Sequence, residues 1–230
     1  MKLKIYFFQI VSLFFISPLF AQDVNTVLSK TESAYLNMKT YLDSGKVVSY
    51  YYDNGRPNSD VMLFKTAYSD DGSFNFEFYQ LGQDNLFIVN KDATNKVQFW
   101  DGTKTRNELD FARAMAGSVG ISKSASIMIT NFLMPGAAGT YSKSIFKRLI
   151  EPKLAASEVI NGNTCYKITG SDNRGSVVIW ISQKDFLIRK VETDHPVSNF
   201  KVKTTFQFFP YTLKTANKDV FAFRPRRIEL

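Results

Sequence analysis

The chain has 230 residues, 44% hydrophobic and 15% aromatic, with a formal net charge of +8, one cysteine and one histidine. That length and composition supply one sizeable core, while a lone Cys165 excludes an intrachain disulfide framework. His, Cys and carboxylates at metal-ligand spacing are missing, and basic residues scattered through strand-like stretches, without a basic helix or recognisable module, argue against a nucleic-acid partner.

Met1-Lys2-Leu3-Lys4 is a basic segment, Ile5 to Phe20 is apolar, and Ala21 offers a small residue for cleavage before Gln22. This is the pattern of a secretory signal peptide over 1–21, too short and too interrupted by Gln9 and Pro18 for a membrane span. No cysteine follows the apolar run to accept a lipid, and no later run is apolar enough to span a membrane. The expected mature chain, 22–230, is a single extracytoplasmic domain with a helical insert at 108–150. Its basic surface favours anionic surroundings such as phospholipid head groups.

Val24, Val27, Leu28, Thr31, Tyr35 and Met38 recur at helical spacing, predicting an amphipathic helix that leaves Asn25, Lys30, Glu32 and Asn37 in water. From Gly45 the period changes to two. Lys46–Tyr52 and Val61–Tyr68 read as strands around the turn formers Asn54 to Asn58. Phe74, Phe76 and Phe78 then alternate with Asn75, Glu77 and Tyr79, predicting one buried phenylalanine face and one wet face. Leu86–Val89, Val97–Trp100 and Thr103–Asn107 continue an antiparallel meander.

Leu109 to Gly139 changes character to small, Met- and Ile-rich residues. A short helix is expected over Glu108–Ala116, broken at Gly117-Ser118-Val119-Gly120. Ser122 or Ser124 is placed to cap a second helix with Ala125, Ile129, Phe132 and Leu133 on one face, widened by Ile127, Met128 and Met134 and stopped at Pro135-Gly136. Tyr141, Ile145 and Leu149 space a third helical piece before Pro152. Strands resume at Ser157–Ile160 and Thr164–Thr169 around Asn161-Gly162, the strongest hairpin signal in the chain. Val177–Ile181, Phe186–Thr193 and the alternating Phe200–Phe208 complete the set, and Phe221-Ala222-Phe223 is a last apolar piece.

Catalytic signals are weak. His195 precedes Pro196 in a polar stretch and reads as a surface imidazole. Asp70, Asp71 and Asp172 read as turn formers, and Cys165 as a small buried hydrophobe. Ser122-Lys123-Ser124 is the only hydrolase-like pairing, and adjacent helix residues do not face each other. A non-enzyme without a cofactor is expected, with a serine hydrolase as the remote alternative. What remains is excess apolar surface: a sheet with an aromatic face, and an insert that either seals it as core or lies over it as a lid.

Several stretches, in order, carry a family resemblance: Tyr35 to Gly45, Ser73 to Phe78, Ala114 to Ser122, Val159 to Ile168 and Val178 to Ser182. They are similar to the LolA-like periplasmic lipoprotein-carrier superfamily, nearest to its outer-membrane lipoprotein-sorting-like branch of undefined function. The resemblance implies an α+β, mainly β fold, a strongly curved antiparallel sheet (an incomplete β-barrel) with helices capping its concave face. It also implies a periplasmic location and a lipid or acylated-protein ligand. Together with the apolar excess it nominates Phe74, Phe76, Phe78 and Trp100 as the concave lining, and Met115, Ile127, Ile129, Leu133 and Met134 as the cover. The alternative is an envelope interaction or sensor protein with a closed core, docking an envelope protein through its basic residues, among them Lys143, Lys147, Arg148, Arg224, Arg226 and Arg227.

Overall fold

Period-two alternation builds strands β1 (Thr40–Asp53), β2 (Arg56–Ser69), β3 (Phe74–Gln80), β4 (Leu86–Lys91), β5 (Val97–Trp100) and β6 (Thr105–Glu108). After the insert come β7 (Ile150–Ile160), β8 (Asn163–Asp172), β9 (Gly175–Ser182), β10 (Ile188–Val197) and β11 (Phe200–Pro210). The computed structural model describes residues 23–53, 56–83, 86–108, 110–137, 139, 143–197, 200–211 and 218–225. The expected signal peptide, Leu109, Tyr141, Arg226 and Arg227 lie outside them. The strands form one antiparallel, curved 11-stranded sheet in the order β6-β5-β4-β3-β2-β1-β11-β10-β9-β8-β7. Two meanders thus meet at the central β1–β11 pair, and the edges β6 and β7 leave the barrel incomplete.

β1 starts earlier than its sequence suggested, because Gly45 sits inside it rather than before it. Register places Phe208, Gly45, Phe64, Phe78 and Phe87 in one row across five strands. A Cβ on Gly45 would lie 2.2 Å from Phe64 Cζ and 2.4 Å from the Gln207 carbonyl oxygen. The bare backbone therefore lets the Phe64 ring lie across the central strand and meet Phe208 edge-on at 5.6 Å. β7 also starts early, at Ile150, and includes Pro152. It is an edge strand with two register shifts, where a missing N–H is tolerated.

Helix α1 (Val24–Leu36) buries Val27, Thr31 and Tyr35 on the concave face, as its spacing predicts. Between β6 and β7 run α2 (Phe111–Ile121), α3 (Ala125–Met128), α4 (Thr130–Leu133) and α5 (Ile145–Arg148). Asp110 caps α2 by accepting the Ala112 N–H at 2.9 Å. The expected break at Gly117–Gly120 is absent: α2 runs through both glycines, and the chain turns at Lys123 (φ 52°) and Ser124 (φ 75°). The expected second helix is two single turns, buried all round, so helical periodicity had no wet face to reveal. Its start is served by Ser122, whose hydroxyl oxygen accepts the Ser126 N–H at 3.2 Å.

On the convex face Asn75 is buried, against the sequence expectation. Asn90 donates through Nδ2 to Asn75 Oδ1 at 3.1 Å and to the Phe221 carbonyl at 2.9 Å, tying down the 3-10 turn Lys218–Phe221. Cys165 is fully buried. Inside the concave face, Asp43 is buried between sheet and helices. It accepts the Tyr41 hydroxyl at 2.8 Å and the Thr66 N–H at 3.1 Å, while Tyr35 packs edge-on to Tyr41 at 5.6 Å and accepts the Ile188 N–H at 3.1 Å. Burial pushes the Asp43 carboxyl from 3.8 up to about 6, with the Thr66 and Tyr41 hydrogen bonds pulling it back.

Two predictions follow from these placements. Gly45→Ala should lower the unfolding free energy by about 2 kcal/mol or more, whereas Gly117→Ala, with nothing within 4 Å of the added Cβ, should raise it by about 0.5–1 kcal/mol, both read by urea unfolding. Because folding raises the Asp43 pKa, its contribution is fully present below pH 3.8 and is lost as pH rises through about 6. The stability of Asp43→Asn relative to the parent should therefore improve by on the order of 3 kcal/mol between pH 4 and 7. A pH-independent difference would contradict the burial of a charged Asp43.

Candidate functional site

The residues nominated by the sequence are brought together, with one exception. Phe74, Phe76, Phe78, Met115, Ile127, Ile129 and Leu133 are at most 8% exposed and join one apolar cluster, with Met134 partly buried against it. Aromatic contacts knit sheet and cover: Phe74 meets Phe111 at 5.2 Å, Phe64 meets Phe76 at 5.9 Å, Tyr35 stacks on Phe132 at 5.4 Å, and Phe132 meets Phe146 at 4.7 Å. These side chains are packed against each other in the form described. The exception is Trp100. It pairs with Ile88, whose partner on β3 is Glu77, so it lies on the convex face. Its neighbour Phe99, paired with Val89 opposite Phe76, takes the concave position. The alternation in Val97–Trp100 was legible, but four residues did not fix which parity faced inward.

The concave face is left uncovered at one end. There a cavity of about 330 Å³ lies between the sheet and the insert. Ser49, Thr193, Val202, Thr204 and Phe206 from β1, β10 and β11 form its floor, and Val119, Gly120, Lys123, Ser124 and Met128 its roof. Ile145 and Arg148 of α5, with Asp172, Arg174 and His195, make the remaining wall. Met128, Ile145 and Phe206 also belong to the apolar cluster, so the cavity is an unfilled margin of the core itself. Its sequence signal was small polar residues on an otherwise apolar strand face: Ser49 and Thr204 touch at 3.2 Å, in the parity that carries Val47 and Phe206.

Gly120 roofs this cavity from the last turn of α2. A Cβ there would meet nothing within 4 Å, so no neighbour requires glycine. Glycine inside a helix costs about 0.5–1 kcal/mol relative to alanine, and no contact in the structure offsets that cost at Gly120.

The charges at the wall centre on Asp172, whose side chain is only 5% exposed. Its Oδ1 accepts the N–H groups of Arg174 at 2.8 Å and Gly175 at 3.2 Å, confirming the turn role read from sequence. It also faces Arg174 at 3.5 Å, Arg148 at 3.9 Å and His195 at 3.1 Å. Desolvation raises the Asp172 carboxyl, but the Arg174 N–H, His195 and the Arg174 guanidinium outweigh it, so it ionises below the usual range. His195 is therefore no free surface imidazole: it sits in β10, with Nε2 near Asp172 yet not aligned for a hydrogen bond. Burial lowers its pKa, opposed by Asp172 and reinforced by Arg174 and Arg148, leaving it neutral near pH 7.

The serine–lysine pairing considered for hydrolysis is otherwise engaged. Ser122 is buried and hydrogen-bonds Ser126 at 3.1 Å, and the Lys123 amine donates to Asp60 Oδ2 at 2.7 Å. Among the described residues, no group of three or more His, Cys, Asp or Glu is placed to hold a metal ion, and no helix is long and apolar enough to cross a membrane.

No protein-family model and no curated protein matches the chain. Solved structures with a similar chain course include the MucA/MucB complex of Pseudomonas aeruginosa, at 12% identity and TM-score 0.45, over 86% of this chain and 60% of that one. The chain thus spans about three fifths of the length of the MucB structures it matches. A LolA superfamily protein from Nitrosomonas europaea is similar at 10% identity and TM-score 0.40, over 86% of this chain and 97% of that one. A putative outer membrane lipoprotein-sorting protein domain from Vibrio parahaemolyticus follows at 8% identity and TM-score 0.35, over 85% and 94%.

Proposed function

We propose that the protein is an exported, non-catalytic binding module that shelters the apolar part of a lipid or acylated ligand at the open end of its concave sheet. The observation that carries this reading is the cavity of about 330 Å³ whose lining includes the core side chains Met128, Ile145 and Phe206 and, at its roof, the bare backbone of Gly120. The leader-like pattern over 1–21 supports a periplasmic location. The closed packing of Phe74, Phe76 and Phe78 favours the second reading, an envelope interaction protein that binds no lipid.

Magnitudes decide how a ligand gains access. Lifting α3 and α4 would expose Ile127, Met128, Ile129, Phe132 and Leu133 at about 1.5–3 kcal/mol each. The total, roughly 7–15 kcal/mol, matches the whole stability of a typical domain. The cover therefore does not open unaided. A ligand first displaces the side chains bordering the cavity, with the unbranched Met128 the most adaptable. Phe74, Phe76, Phe78, Met115, Ile127, Ile129, Leu133 and Met134 join the site only where an acyl chain replaces their contacts with each other.

The test is saturable binding of the neutral apolar dye N-phenyl-1-naphthylamine to lipid-extracted full-length protein. Gly120→Leu, which projects a side chain into the mouth, should weaken binding tenfold or more (about 1.4 kcal/mol) with the unfolding midpoint unchanged or raised. Parent protein with no saturable signal would overturn the reading in favour of the closed interaction protein.

A further inference from the structure

We propose that the cavity selects an amphipathic anion, its carboxylate or phosphate head held between Arg148 and Arg174 and its apolar tail against Met128 and Phe206. This inference rests on the binding-module reading and adds the chemistry of the ligand's head.

The two guanidinium groups reach the same wall from different elements, Arg148 from α5 in the insert and Arg174 from the turn between β8 and β9. Both are directed to one carboxylate, Asp172, at 3.9 and 3.5 Å, separations too long for hydrogen bonds. Asp172 Oδ1 already takes two backbone N–H groups. One carboxylate thus faces two cations that it neutralises in charge only by half. Arg148 Nε is buried with no hydrogen-bond partner, an unmet donor of a charged group.

Among the described residues that line the cavity, no second carboxylate offsets this excess. Lys123 is paired with Asp60 at 2.7 Å, and His195, lowered by burial, brings neither charge nor an aligned hydrogen bond. Planar guanidinium forks match carboxylate and phosphate oxygens in a bidentate manner, which an alcohol cannot reproduce. A wholly apolar ligand would cover the guanidinium groups without pairing them, and a cationic head would be repelled. The apolar wall is continuous with the core, so the ligand that satisfies both sides has an anionic head and a hydrocarbon tail.

Competition against the bound dye distinguishes the outcomes, with dodecanoate, dodecyl phosphate and dodecanol as ligands of equal chain length. The anions should compete at concentrations at least tenfold below dodecanol. Arg148→Gln and Arg174→Gln should each weaken the anions about tenfold and leave dodecanol unchanged. Preference for dodecanoate over dodecyl phosphate would assign the site to free fatty acids, and the reverse to phosphate-bearing lipid heads; either supports the inference. Equal competition by all three, or equal losses for dodecanol in the arginine variants, would overturn the head-group inference while leaving the binding module standing. Failure of all three to compete and of the dye to bind would overturn both.

Discussion

An antiparallel sheet that curls without closing has an apolar inner face that its own strands do not cover. Every strand-to-strand connection but one, that from β6 to β7, is a short link between neighbouring strands. The covering mass must therefore come from α1, ahead of the central strand, and from the chain that joins edge β6 to edge β7. That single constraint explains why α3 and α4 are buried all round, why they are single turns that follow a concave surface, and why the unfilled margin beside them becomes a cavity.

Much of the sheet was legible because alternation survives wherever one face is buried. Phe74, Phe76 and Phe78 and the Asn161-Gly162 hairpin identified their elements directly. What failed did so for stated reasons. Gly45 looks like punctuation, but its lack of a side chain serves the ring of Phe64 across the strand. Gly117 and Gly120 look like a helix break, but backbone propensity yields to the packing of Ala114, Met115 and Ser118 beneath them. Trp100 is offset by one residue from the inward parity, an error that a period of two makes total. The cavity itself was the least legible feature. It depends on Ser49, Thr193 and Thr204 converging from three strands, and on charges from Arg148, Asp172 and Arg174 that are distant from Ser49 in sequence.

The interior shows a division of labour between polar groups. Near α1, Tyr35, Tyr41, Asp43 and Thr66 form a hydrogen-bonded group that fixes the helix on the sheet, Asp43 accepting from Tyr41 and Thr66 and Tyr35 from Ile188. At the opposite margin the arginines around Asp172 are incompletely matched. Local disagreement between sequence and stability is expected where a protein keeps a function, and Gly120 and Arg148 bring two such disagreements to one cavity.

The central pair of strands has a consequence for how the molecule comes into being. Ser49 and Thr204, which meet on the cavity floor, are 155 residues apart in the chain. Contacts within each meander are local and inexpensive in loop entropy, whereas joining β1 to β11 is the most non-local step of assembly. Ser49 comes from one half, and Thr193, Val202 and Phe206 come from the other. The floor is thus absent until the two halves have met, so a partly folded chain has no pocket to occupy, and ligand capture is reserved for the finished sheet.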